Sequence, residues 1–185
     1  TVEHKGSFNM GHMYFEYTII REKTTKLDFD LYCVDIYGLL DRENVYSYDD
    51  DTERFTAFQI AVVDWINQWE HQPDVIHVHD HHTAIIPFMM QQCHAYSRLS
   101  KVPTVLTIHN GQYQGWMSWD KSTYIPAWDT WQWGLLDWSN TINPLACGVK
   151  CADRVTTVSP SYMEELTESA NGLEQLFRME RAKCT

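Results

Sequence analysis

The stretch "PDVIHVHDHHTAIIP", residues 73–87, decides how the chain is read. Asp74 to His79 is a short β-branched run that starts just after Pro73, the signature of a buried strand. From Thr83 onward the sequence turns helical, although Pro87 in the second turn objects to an unbroken helix. Where the two halves meet, His77, His79, His81 and His82 crowd around Asp80. Two more runs resemble the first: "VPTVLTIH", residues 102–109, and "DRVTTVS", residues 153–159. Each strand is followed by a helical segment: residues 83–96, "TINPLACGVKCA" at 141–152, and 160–182 with a break at Asn171-Gly172. Asn143 suits the cap of the second of these, and Pro144 its first helical position.

Upstream, "TERFTAFQIAVVDWINQWEHQ", residues 52–72, places Phe55, Phe58, Val62, Trp65, Ile66 and Trp69 at three- and four-residue steps. That spacing predicts one apolar helix face, with Thr52 as its cap and Pro73 as its stop. The order from residue 52 is therefore helix, strand, helix, strand, helix, strand, helix. Parallel strands need crossovers of this kind, so the chain is expected to be α/β: a Rossmann-like, doubly wound parallel sheet with helices on both faces. Residues 13–20 and 27–36 read as a further pair of strands, joined by the polar turn "REKTTK". No repeat, low-complexity tract or linker divides the chain.

Composition narrows the function. Fourteen basic against 25 acidic residues leave a net charge of −11. Nucleic acids and anionic membranes demand a positive footprint, so neither is expected as a partner. No apolar run approaches the ~18 residues of a membrane span. The five cysteines form no CxxC pair. Cys147 and Cys151 stand one helical turn apart, poor geometry for a disulfide, so reduced thiols and a cytoplasmic setting are expected. Eight tryptophans are many for 185 residues. Most read as core, and those in the glycine-punctuated stretch 110–134 also offer plates for stacking on sugar rings.

Ligands in such sheets bind beyond the carboxyl ends of the strands. Two strands here end in histidine, at His79 and at His109-Asn110, and a third places Ser159 at a helix start. His77, His79 and His81 alternate, as zinc ligands on a strand could, but histidines on a strand covered on both faces are more often satisfied by neighbouring acceptors. Ser159 lies in no G-x-S-x-G elbow and reads as a helix cap. No G-x-G-x-x-G follows a strand. A hydrogen-bonding rim with aromatic neighbours suits a sugar, and metal binding stays open beside it.

Longer motifs then converge. "PDVIHVHDHHTAIIP", "VPTVLTIHNGQYQG", "NPLACGVKCADRVTTVSPSYMEEL" and "GLLDRENVYSYDDDTERF" resemble, in order, the N-terminal domain of bacterial glycogen synthases and plant starch synthases over residues 14–182. The resemblance implies a two-domain, double-Rossmann glycosyltransferase without metal or cofactor. Such an enzyme moves glucose from ADP-glucose or UDP-glucose to the non-reducing end of an α-1,4-glucan with retention. The chain then corresponds to a partial N-terminal domain, with the family's glycine-rich K-x-G-G-L loop expected before residue 1 and the second domain after residue 185. Alone it is expected to be inactive.

Carried over by motif, H-D-W-H falls on His79, Asp80, His81 and His82. The resemblance gives His82 a catalytic role at the transferred glucose, and His81 stands where the family has tryptophan. The Y-x-D segment gives Tyr48 and a catalytic Asp50. Asp80, His109, Asn110, Tyr113 and Gln114 become expected substrate-binding residues. The alternative is a glucan-binding module without catalysis, for which the tryptophan-rich stretch speaks.

Overall fold

The structure is a computed structural model that describes residues 1–185. The chain opens with an antiparallel meander. β1 (Val2–Met10) pairs with β2 (Met13–Arg21), and β2 pairs with β3 (Tyr32–Asp35). The pairing of β2 with β3 matches the sequence expectation. β1 was not foreseen, because "VEHKGSFNM" holds a single β-branched residue and no clean alternation. It is held by its partner instead: Phe8 sits opposite Phe15, with ring centroids 5.8 Å apart.

α1 (Asp51–Asn67) follows. Asp50 occupies its N-cap position without a side-chain cap bond, so Thr52 is not the cap that the sequence suggested. Asp51 and Glu53 supply the negative charge that a helix start favours. The buried stripe also differs from the expected one. Ala57, Ile60, Ala61, Val63 and Ile66 are buried, along with Arg54, Thr56 and Gln59. Val62, Trp65 and Trp69 lie on a second, half-buried flank that packs against the core. A helix covered from two sides buries a wider arc than one apolar stripe marks.

The parallel sheet is β4 (Ile76–His79), β5 (Thr104–Ile108) and β8 (Arg154–Thr157), in the order β4-β5-β8. The α/β alternation and the three strands come out as expected. The helix expected over 83–96 does not run unbroken. It divides into α2 (Asp80–Thr83), α3 (Ile86–Gln92) and a 3-10 turn over His94–Leu99. Pro87 lies in the first turn of α3, where a missing N–H breaks no ladder. At the junction the Ile85 N–H donates to Gln59 Oε1 at 2.9 Å.

A small hairpin, β6 (Asp137–Trp138) and β7 (Thr141–Ile142), closes the tryptophan-rich stretch. Ser139 and Asn140 turn it, both with positive φ, as a tight two-residue hairpin loop requires. α4 (Pro144–Cys151) starts where expected, with Asn143 Oδ1 accepting from the Ala146 N–H at 3.0 Å. α5 (Pro160–Glu168) and α6 (Glu174–Met179) flank the expected break. Ser159 caps α5, its Oγ accepting from the Tyr162 N–H at 3.1 Å.

Val78, Leu106 and Val155 sit side by side across the sheet and are buried. Their cover includes α4, where Gly148 lies against Leu106 and Ala84. Helical cover within these residues is unequal, however. His77 and His79 on the opposite face are exposed, and Thr107 and Thr156 beside them are half-buried. A hydrogen-bond chain crosses that face, from His77 Nε2 to Thr107 Oγ1 and on to Thr156 Oγ1, each link 2.6 Å. No helix is long and apolar enough to cross a membrane.

Candidate functional site

The junction of β4 and α2 makes the site. A strand that ran on would have pointed His77, His79 and His81 to one side. It stops at His79, and Asp80 turns the chain with φ +54. Left-handed backbone is uncommon outside glycine, is tolerated by Asp, and collects at functional sites. The turn divides the histidines. His77 and His79 stay on the open sheet face, ring centroids 4.2 Å apart. His81 and His82 enter α2 and stack on each other at 3.8 Å. No three His, Cys, Asp or Glu side chains converge in an arrangement that could hold a metal ion.

Asp80 ties the ends of two strands together. Its Oδ1 accepts from the backbone N–H of His109 at 2.7 Å and of Asn110 at 3.4 Å. Its Oδ2 lies 3.0 Å from His109 Nδ1. A carboxylate can only accept here, so Nδ1 carries a proton. Asp80 thus fixes both the loop after β5 and the orientation of the His109 ring.

His81 and His82 face a cleft of about 550 Å³. Thr52, Phe55, Thr56 and Gln59 line it from α1, at the steps i, i+3, i+4 and i+7. Asp51 and Tyr46 lie at its α1 end, and Tyr113, Gly115 and Trp116 close it from the loop after β5. The His82 ring meets the Phe55 edge at 4.6 Å and 85°. Burial lowers its pKa below the usual imidazole value of 6.5. Burial, and then the neighbouring His82, push His81 down to about 4. Both rings are therefore neutral at pH 7, and each can donate from one nitrogen and accept at the other. Gly115 lets the loop close on this pair. Its φ is +75, and a Cβ there would come within 2.6 Å of His81 Cδ2.

The other expected residues are placed as follows. Tyr113 lines the cleft and is exposed. His109 and Asn110 line a neighbouring cavity of about 310 Å³ with Tyr162 and Glu165 of α5. Gln114, expected among the substrate contacts, is 3 % exposed. Its Nε2 donates to the carbonyls of Gly111, Ala170 and Asn171, and its Oε1 accepts from Asn143 Nδ2 and Trp116 Nε1. It holds the loop from inside instead of facing the cleft.

Asp50 sits just outside the cleft lining, gripped by Arg42 through two bonds of 2.9 and 2.7 Å. That guanidinium holds its carboxyl below the ordinary range. The adjacent Asp51 is the carboxylate that lines the cleft. Sequence reasoning read Thr52 only as a helix cap and did not place Asp51, Thr52, Thr56 or Gln59 at the cleft. Thr52, Thr56 and Gln59 stand at i, i+4 and i+7 on an otherwise apolar helix, and that polar edge was the available signal.

Known proteins resemble this chain over most of its length. A family model described as the starch synthase catalytic domain matches residues 1–179. Among curated proteins, a glycogen synthase of Flavobacterium johnsoniae is 51 % identical over 180 residues, covering 97 % of this chain and 38 % of that protein. A glycogen synthase of Streptococcus sanguinis is 40 % identical over 159 residues, covering 82 % of this chain and 33 % of that protein. The chain thus spans less than two fifths of the length of these relatives. Among solved structures, the catalytic domain of starch synthase IV from Arabidopsis thaliana, bound to ADP and acarbose, superposes with a TM-score of 0.82 at 22 % identity. It covers 99 % of this chain and 40 % of that one. At that identity the likeness speaks for the fold.

Proposed function

The chain belongs to the starch synthase catalytic domain family, and from that premise we propose that it supplies part of the acceptor-side domain of a two-domain retaining glucosyltransferase. The reaction is transfer of glucose from ADP-glucose or UDP-glucose to the non-reducing 4-OH of an α-1,4-glucan. The setting is cytoplasmic, in keeping with five unpaired cysteines, four of them buried.

The observation that carries this reading is the neutral His81–His82 pair at the head of a strand, facing a cleft lined by Phe55, Tyr113 and Trp116. A glucosyl ring develops positive charge at C1 in the transition state. A neutral imidazole at His82 can hydrogen-bond a ring hydroxyl without adding a like charge. Aromatic edges and faces exclude water and stack on the sugar. Asp51 is a negative group at the same cleft, and Asp80 fixes His109 beside the neighbouring cavity. Asp50 serves through its bond to Arg42, which anchors the connector before α1. No Lys or Arg lines the cleft, so the cations that neutralise the donor phosphates come from elsewhere in the full-length enzyme. Residues 1–185 alone are inactive on this reading.

The test is glucosyl transfer to glycogen by the full-length protein and its His82→Ala variant. Loss of about 10²- to 10³-fold in kcat, the size of removing one aimed hydrogen-bonding group, is expected. An unchanged rate removes His82 from the reaction. Absence of transfer by the wild-type protein with either donor removes the function.

A further inference from the structure

Trp116 lines the cleft from the loop after β5 and is 54 % exposed. Gly115 beside it turns the backbone with φ +75. An exposed indole next to a glycine has several orientations open to it, and ordering it costs free energy. Its N–H donates to Oε1 of the buried Gln114 at 3.0 Å. We propose that Gln114 is a positioning residue for the reaction: its amide tethers the Trp116 indole as a fixed wall of the cleft, and the apparent affinity for the neutral sugar bound there depends on that tether.

The orientation of the amide is forced from both sides. An indole N–H only donates, so the atom facing it is Oε1. Asn143 Nδ2 donates to the same oxygen at 2.8 Å, which occupies both of its lone pairs. On the other side Nε2 donates to the carbonyls of Gly111 and Ala170, each at 3.0 Å, and of Asn171 at 3.2 Å. A flipped amide would set oxygen against three carbonyls and N–H against two donors. The far anchor is itself held. Asn171 and Gly172 turn the chain between α5 and α6 with φ +50 and +98. Glu174 Oε1 accepts from the N–H groups of Ala170 and Gly172 at 3.0 and 3.3 Å, and Asn171 Nδ2 returns to the Gln112 carbonyl at 3.1 Å. The tether thus runs from the α5–α6 turn through Gln114 to the cleft wall. With its N–H spent, Trp116 offers a ligand only apolar surface. No Lys or Arg lines the cleft, so the group that meets this surface is an uncharged sugar ring and not a phosphate. A wall fixed in advance lowers the ordering cost of binding.

The kinetic arm of the test rests on the transferase reading, and a second arm reads the tether without turnover. In the full-length protein, Gln114→Met is expected to raise KM for maltoheptaose about tenfold with kcat nearly unchanged, the pattern of lost uniform binding. Trp116→Ala is expected to raise the same KM as much, and adding Gln114→Met to it to raise it no further, although the thermal midpoint still falls. A role confined to the fold would leave KM unmoved or make the two changes add. Gln114→Asn, one methylene shorter, cannot reach both the indole and the carbonyls, and it carries the same expectations should Gln114→Met fail to fold. An unchanged KM, or an equal further rise in the Trp116→Ala background, overturns the proposal. The second arm follows exchange of indole N–H groups with water by nitrogen-15 NMR, the Trp116 signal being the one missing from Trp116→Phe. Its exchange is expected to be about tenfold slower in the wild type than in the Gln114 variants, as for a hydrogen-bonded group. Equal exchange overturns the tether whatever the enzyme does. A wild-type protein that transfers no glucose yet shows the slow exchange refutes the transferase reading alone.

Discussion

At the residue scale, the proposed chemistry turns on two imidazoles held neutral. His81 is the more perturbed, at about 4 against an ordinary 6.5, because burial and His82 both oppose its charged form. The unfolded chain then binds more protons than the folded one throughout the window from pH 6.5 down to 4, so stability falls as pH is lowered through it. His82 and His79 are shifted in the same direction and add to the slope. His81→Phe keeps an aromatic ring against His82 and Gly115 while removing one titration. Thermal midpoints measured from pH 7.5 to 4 are expected to fall less steeply for this variant than for wild type. Identical slopes would mean that the His81 ring is solvated when the chain is folded. The sequence singled out His82 as a site candidate and His81 only as its neighbour in the motif. Their separation from His77 and His79 was not legible there, because it depends on the left-handed turn at Asp80.

At the element scale, the connector between β3 and α1 is pinned by a single buried cation. Arg54 of α1 is 3 % exposed. Its Nε donates to the Leu39 carbonyl at 2.8 Å, and its Nη1 to the Val45 carbonyl at 2.9 Å and to Asp51 Oδ1 at 2.7 Å. Its guanidinium also lies 4.7 Å from the centroid of the Tyr48 ring, which Arg42 approaches at 5.0 Å from its own side. Tyr46, Ser47 and Asp51 of the cleft are therefore placed by what Arg54 holds. Arg54→Met leaves those carbonyls and Asp51 without their donor, and about 3 kcal/mol of stability is expected to be lost. Urea denaturation measures it, and a change below about 0.5 kcal/mol would show the connector to be held by other contacts. Arg54 was invisible as a hub in the sequence, because its partners at Leu39 and Val45 lie 15 and 9 residues away.

At the scale of the whole molecule, the cleft exists because three layers meet closely: α1, the β4–α2 turn, and the loop after β5. A close joint between α4 and the sheet lies at Gly148. A Cβ there would lie 2.8 Å from Ala84 Cβ and 3.0 Å from both the Ala84 carbonyl oxygen and Leu106 Cδ2. Backbone and core atoms of this kind cannot swing aside as a flexible side chain would. Gly148→Ala improves intrinsic helix propensity, yet it is expected to destabilise by about 1–3 kcal/mol through overpacking. A stabilised variant, read by the same denaturation, would mean that α4 can move outward from the sheet.

The sequence by itself determined the order of elements, the parallel strands, the caps at Asn143 and Ser159, and the location of the site at the strand ends. Those features are local: they follow from periodicity, β-branching, proline and capping chemistry over a few residues. Only the tertiary structure decided which carboxylate faces the cleft, that Gln114 works from inside the loop, and that α1 lends the cleft a polar edge. Each of these rests on groups far apart in the chain being brought within a few ångströms, and no one-dimensional pattern records such a distance.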